Sequence, residues 1–246
     1  ALRGAALAAV EAREPVIVVA PARALAQGIP TKAARARSTV KLHCGQQLDR
    51  DVFVESLLAV GYLATAKVEH EGCLATRGDI VDVWPLLRDR PVRIDFFDDE
   101  VESIRNLDRG QVARSDFPDA IRISPARELR LDDQSVGKLA TRLNVEVEGQ
   151  GRGVRLRRRV IEDAKQGIWF SGIEDYLPAF VETEAPLEAF GHVERLVVSP
   201  DDVGAVLREF ERSAKSRWAD LDEEERPLLP PGARYISAGS VLENLE

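Results

Sequence analysis

Methionine is absent from the 246 residues, and cysteine, histidine and the aromatic residues are scarce at two, three and 6% of the chain. Each shortage removes a class of function. Two cysteines, Cys44 and Cys73, cannot build a disulfide framework, and a reducing cytoplasm is the expected setting. Three histidines, with no G-x-S-x-G or other nucleophile–base pattern, supply no hydrolytic triad. No loop of the form G-x-x-x-x-G-K-S/T is present to cradle phosphates, so no cofactor is expected in this segment. No apolar run approaches the ~20 residues that cross a bilayer, and no membrane partner is expected. The alanine-rich start carries Glu11 and Glu14 and lacks a basic n-region and an apolar h-region, so it does not read as a signal peptide. A natural reading frame opens with Met, and its absence predicts a segment of a longer protein.

What is present is ordinary for a globular chain: 44% hydrophobic and 31% charged residues. At roughly 150 residues per domain, the length suggests one large domain or two small ones. Acids outnumber bases 42 to 34, for a net charge of −8, which argues against tight non-specific nucleic-acid binding by the whole chain. The one dense basic run is Arg152, Arg155, Arg157, Arg158 and Arg159. It reads either as a weak nucleic-acid patch or, better, as a solvated helix face paired with Glu162 and Asp163. Gly149-Gln150-Gly151-Arg152-Gly153 reads as a loop, and so does Asp222-Glu223-Glu224-Glu225. His43-Cys44 and His70-x-x-Cys73 offer soft donors. Neighbours in a strand point to opposite faces, however, so His43 and Cys44 do not share one ion and no metal site is expected. Arg77-Gly78-Asp79 reads as a turn.

Three regions follow along the chain. The first predicts a helix over Leu2–Ala12, a strand over Pro15–Ala20 that is apolar enough to be buried on both faces, and a short helix from Ala22 to Gln27 ended by Gly28 and Pro30. One such strand makes no sheet alone, so it belongs to an α/β domain whose start is missing or one completed by later strands. The second region predicts a strand at Val40–His43 and a helix over Asp51–Val60 with Phe53, Leu57 and Val60 on one stripe and Gly61 beyond its end. Closely spaced strands follow at Ala64–Val68, Cys73–Thr76, Ile80–Trp84, Val92–Phe97 and Val101–Leu107, with a hairpin turn at Asp98-Asp99. This is an α+β module with an antiparallel sheet. The third region returns to α/β, with strands at Ile121–Ser124 and Arg195–Val198. A helix capped by Ser199 carries Val203, Val206, Leu207 and Phe210 and runs to about Trp218.

Val92-Arg93-Ile94-Asp95-Phe96-Phe97 is the most informative stretch. In one strand, Val92, Ile94 and Phe96 share a side, and Arg93, Asp95 and Phe97 share the other. Two charges leading to an aromatic do not form a core pattern. They are the residue types that dominate protein–protein hot spots. From spacing alone, the alternative stays open that Phe97 tucks under a neighbouring loop.

The same residues lie in a longer run, Glu71 to Pro85 followed by Pro91 to Arg105. This run resembles the domain shared by two families of bacterial excision-repair proteins, the transcription–repair coupling factors and UvrB. Gly45–Arg50, Ile123–Glu128, Gly172–Pro178 and Arg226–Pro231 fit the same frame, the last two resembling the coupling factors. The resemblance implies a UvrA-binding domain at 40–118 inserted into a split α/β domain, 1–39 and 119–246. That outer domain is similar to a degenerate helicase half whose first strands are missing here. It implies that Arg77, Arg93 and Phe97 bind UvrA. It further implies that this segment is not an enzyme, that ATP and magnesium belong to motor domains elsewhere in the parent protein, and that the parent's partners include RNA polymerase and double-stranded DNA. The alternatives are a DNA-contacting fragment of UvrB and a free-standing adaptor that competes with UvrB for UvrA.

Overall fold

Capping, turn and alternation signals set the order of elements. The computed structural model describes residues 2–11, 15–108, 111–112, 118–148, 153–191, 194, 196–222 and 226–245. The first elements are α1 (Leu2–Glu11), α2 (Ala22–Leu25), β1 (Ile29–Pro30), α3 (Lys32–Ser38), β2 (Val40–His43) and α4 (Arg50–Ala59). Then come β3 (Leu63–Ala64), β4 (Cys73–Arg77), β5 (Ile80–Val83), β6 (Val92–Phe97), β7 (Glu100–Asp108), β8 (Gln111–Val112) and β9 (Ala120–Ile123). The remainder is α5 (Asp133–Glu148), α6 (Val154–Lys165), α7 (Leu177–Phe180), β10 (Thr183–Glu184), α8 (Pro186–Ala189), α9 (Pro200–Asp220), α10 (Pro231–Arg234) and α11 (Ala238–Glu243). The fold is mixed α/β, with small antiparallel sheets and helices. The chain divides into two units, Ala1–Ala5 with Arg35–Leu131 and Ala6–Ala34 with Asp132–Glu246. No helix among the described residues is long and apolar enough to cross a membrane.

The first unit is built on a sheet of order β3-β4-β5-β6-β7-β8. Pairing is antiparallel throughout except between β3 and β4. Tight turns dictate this topology. Gly78 and Asp79 lie between the paired Arg77 and Ile80, and Gly78 takes φ 57° at the position where such a hairpin favours glycine. Asp98 and Asp99 join Phe97 to Glu100, with Asp98 at φ 50°, a conformation aspartate tolerates. On α4, the Asp49 carboxylate accepts from the Val52 N–H at 2.9 Å, a helix N-cap. Phe53, Leu57 and Val60 are buried against the sheet, as their spacing predicts. Gly61 turns the chain at φ 89°, and a Cβ there would come within 2.6 Å of the Arg127 side chain. Next to it, the buried Tyr62 hydroxyl donates to the Ser124 carbonyl at 2.8 Å and accepts from the Leu86 N–H at 3.4 Å. Burial pushes this phenol well above its ordinary pKa.

The strand expected over Ala64–Val68 is cut to Leu63–Ala64. The Thr65 hydroxyl bonds the Lys67 and Leu74 carbonyls at 2.9 and 3.2 Å, and such local side-chain bonds compete with a ladder. The strand β7 carries a bulge. Asp95 pairs with Ser103 and Phe96 with Val101, so Glu102 is the extra residue. Val101 and Ile104 therefore both reach the core, although they are three positions apart.

The second unit is helical among its described residues, apart from the short antiparallel pair β1–β10. The helix α5 packs on α6 and α7, and α9 packs on α2, α10 and α11. One apolar core joins Leu25, Leu187, Leu207 and Val241. Three expectations fail here. Residues 15–20 and 196–198 form no strand, and Ile17, Val19 and Leu196 are 93%, 89% and 90% exposed. A strand exists through its ladder partner, and none pairs with either segment among the described residues. Arg195 lies outside those residues. Ser199 is also not a side-chain cap. It sits at φ 54°, and its carbonyl accepts from Val203 N–H at 3.1 Å, while Pro200, Asp201 and Asp202 begin α9 as expected.

Candidate functional site

The sheet of the first unit has two unlike faces. Leu74, Val81, Val83, Val92, Ile94, Phe96, Val101 and Ile104 form a buried core with Phe53 and Leu57 of α4. Phe53 and Phe96 contact ring to ring at 5.7 Å between centroids. The cross-strand register places Arg77, Asp82, Arg93, Asp95, Ser103 and Arg105 together on the opposite face, because directly paired residues share a side. Phe97 is the last residue of β6 on that face and is 68% exposed. The alternation in Val92–Phe97 thus describes the strand as it stands, and Phe97 is not tucked under a loop.

Each side chain on this face is held differently. Arg77 ends β4 and makes no ion pair among the described residues. Its turn is tied to α4 by Arg50, whose Nη1 donates to the Gly78 carbonyl at 2.6 Å. Arg93 grips Asp82 on β5 through two parallel bonds, Nε to Oδ1 at 2.7 Å and Nη2 to Oδ2 at 2.8 Å. This carboxylate raises the Arg93 pKa further above an already high ordinary value. Arg105 donates from Nε to Asp95 Oδ2 at 2.9 Å and pairs with the same oxygen through Nη2. The Ser103 hydroxyl donates to that oxygen too, at 2.6 Å. The result is a polar row with one unneutralised cation, Arg77, at one end and an exposed aromatic, Phe97, at the other. Such a face offers a desolvatable ring and oriented N–H donors to another protein.

Asp82 and Arg105 were not singled out from the sequence. Their signal lay in alternation: Asp82 is the lone charge in Ile80-Val81-Asp82-Val83, and Arg105 follows a core isoleucine. The basic run lies on α6, where Arg155, Arg158 and Arg159 are exposed and Arg157 is half-buried. Among the described residues of the run, no ion pair to Glu162 or Asp163 is seen. Glu162 instead accepts from Gln166 at 2.8 Å, one turn along the helix. Arg152 and Glu223–Glu225 lie outside the described residues. The Cys73 thiol lies 3.3 Å from His70 Nδ1, and its burial raises its pKa, the opposite of what a reactive thiolate needs. No three His, Cys, Asp or Glu among the described residues are grouped to hold a metal.

This sheet and its covering helix lie in a stretch that matches a known sequence family. Residues 40–129 match the UvrB interaction domain. The chain around it is related to two kinds of bacterial repair protein. It is 34% identical to the transcription-repair-coupling factor of Bacillus subtilis (strain 168) over 94% of its own length and 20% of that protein. It is 25% identical to the same factor of Escherichia coli (strain K12), again over 94% of this chain and 20% of the relative. Against UvrABC system protein B of Micrococcus luteus it is 32% identical over 71% of this chain and 26% of the relative. The chain spans about a fifth of the length of the coupling factors it matches.

Proposed function

We propose that this chain is a recruiting module that docks UvrA during nucleotide excision repair, through the face carrying Arg77, Arg93 and Phe97. The observation that carries the reading is the exposure of Phe97 on the same face as the oriented arginines, opposite the face that carries the buried core. Phe97 supplies the desolvated anchor. Arg77 and Arg93 supply charge-assisted hydrogen bonds to acidic side chains. The UvrA-binding domain, expected at 40–118, is an insertion in a UvrB-like domain formed by 1–39 and 119–246, with the family match and the β2–β9 pair carrying the inserted part on to about residue 129. Likeness over nearly the whole chain supports a coupling-factor context above a UvrB one. In that context the module links removal of stalled RNA polymerase to repair in the cytoplasm. ATP, magnesium and double-stranded DNA are engaged by other parts of the parent protein, and this segment binds without catalysing.

The test is a titration of the chain against purified UvrA. Phe97→Ala and Arg93→Ala should each cost about 2 kcal/mol or more, roughly 30-fold in affinity, with the melting temperature of Phe97→Ala unchanged. Wild-type affinity in both variants, or no binding by the folded chain, overturns the reading.

A further inference from the structure

The docking reading gives work to Arg93 and none to Arg105, its direct cross-strand neighbour on β7. Like charges placed opposite one another in a sheet repel. The fold tolerates the pair by supplying two carboxylates that are themselves 8% exposed, Asp82 for Arg93 and Asp95 for Arg105. A sheet that needed only stability would do better with an apolar or oppositely charged pair at this position.

The bonding pattern says what the pair is fit for. Both guanidinium groups spend the same edge, Nε with Nη2, on their aspartate. The Nη1 group of each has no partner among the described residues, and the side chains are 21% and 31% exposed. A guanidinium is a rigid fork of five donors with no acceptor, so what remains outward is two N–H edges held in fixed orientation. Only oxygen acceptors can answer them, and beside two cations those are best carboxylates. Asp82, Arg93, Asp95 and Arg105 sum to no net charge. The cluster therefore acts at contact and not as a distant attractor.

We propose that Arg105 is a contact residue of the docking surface, presenting with Arg93 a paired guanidinium site for an acidic segment of UvrA, and that Asp82 and Asp95 are positioning residues for the pair. This rests on the docking reading above.

The experiment titrates the 246-residue chain and its variants against UvrA, with melting curves alongside. Arg105→Ala should weaken binding about tenfold, and Arg105→Lys should recover only part of that, since it restores charge without the fork. Asp82→Ala should weaken binding about tenfold alone and less than about twofold when Arg93 is already alanine, because Asp82 acts through Arg93. Wild-type affinity in Arg105→Ala, with Phe97→Ala still impaired, overturns the proposal and leaves the docking reading standing. Where Arg105→Ala melts below the assay temperature, wild-type affinity in Arg105→Lys overturns the proposal equally. A full loss from Asp82→Ala in the Arg93→Ala background removes its positioning role. Absence of binding by the wild-type chain takes down both readings together.

Discussion

Of two segments that both look like strands, Val16–Val19 and Val92–Phe97, the less apolar is the one that forms. Val16–Val19 is uninterrupted valine and isoleucine, yet it is irregular and largely exposed. Val92–Phe97 is broken by Arg93 and Asp95, yet it is paired along both edges at the middle of a six-stranded sheet. The difference lies in their neighbours. The tight turn at Asp98-Asp99 brings β7 to Val92–Phe97 directly, and the eight-residue connection 84–91 brings β5 to its other edge, both at small loop-closure cost. Val16–Val19 has no such hairpin beside it. Apolar content decides where a strand is buried once a ladder exists, and the ladder comes from turns.

The sharpest way to break this comparison is to cut the same residue type in both places. Ile94→Ala should cost about 2–5 kcal/mol, since Ile94 is wholly enclosed, whereas Ile17→Ala should change stability by no more than about 0.5 kcal/mol. Urea unfolding followed by circular dichroism measures both, and equal costs would sink the contrast. A smaller effect separates the two arginines of the proposed docking face. Arg77 is unneutralised, so Arg77→Ala should slow association with UvrA by roughly three- to tenfold and flatten its salt dependence. Arg93 is already neutralised by Asp82, so its loss should appear mainly as faster dissociation. Stopped-flow binding at two salt concentrations tells them apart.

The smallest expected effect concerns the helical unit, where a carboxylate joins two helices. Glu211 on α9 accepts from Lys215 at 2.7 Å and from the Ala238 N–H at 3.0 Å, and Lys215 chiefly holds its pKa below the ordinary glutamate range. A depressed folded-state pKa stabilises above the unfolded value, near 4.3, and that contribution fades as pH falls through the lower folded value. Glu211→Gln should remove a small part of the acid sensitivity below about pH 4 and leave the sheet unit unaffected. Melting curves at pH 3 and pH 7 would show it.

Much of the sheet was legible because its signals are local. Asp49 before α4, glycine in the first hairpin, and period-two alternation each act within a few residues. The face shared by Arg93 and Phe97 followed from counting, and Arg77 joined it through the resemblance. What the sequence hid was relational. The aspartate that neutralises Arg93 lies eleven positions back, and nothing in either segment alone marks them as a pair. On α6, likewise, Glu162 takes a partner one turn along, Gln166, that the charge pattern does not mark. Ser199 showed every sign of an N-cap in composition but takes a left-handed conformation and makes no side-chain cap bond.

The bulge at Glu102 has a genetic consequence. An in-frame loss of that single codon leaves Asp95 opposite Ser103 and Phe96 opposite Val101, so every side chain of β7 keeps its side and the ladder becomes regular. The same loss at Ile104 rotates Arg105 toward the apolar core, where an unpaired guanidinium is costly. In this strand, tolerance to codon deletion is confined to the one residue the ladder does not count.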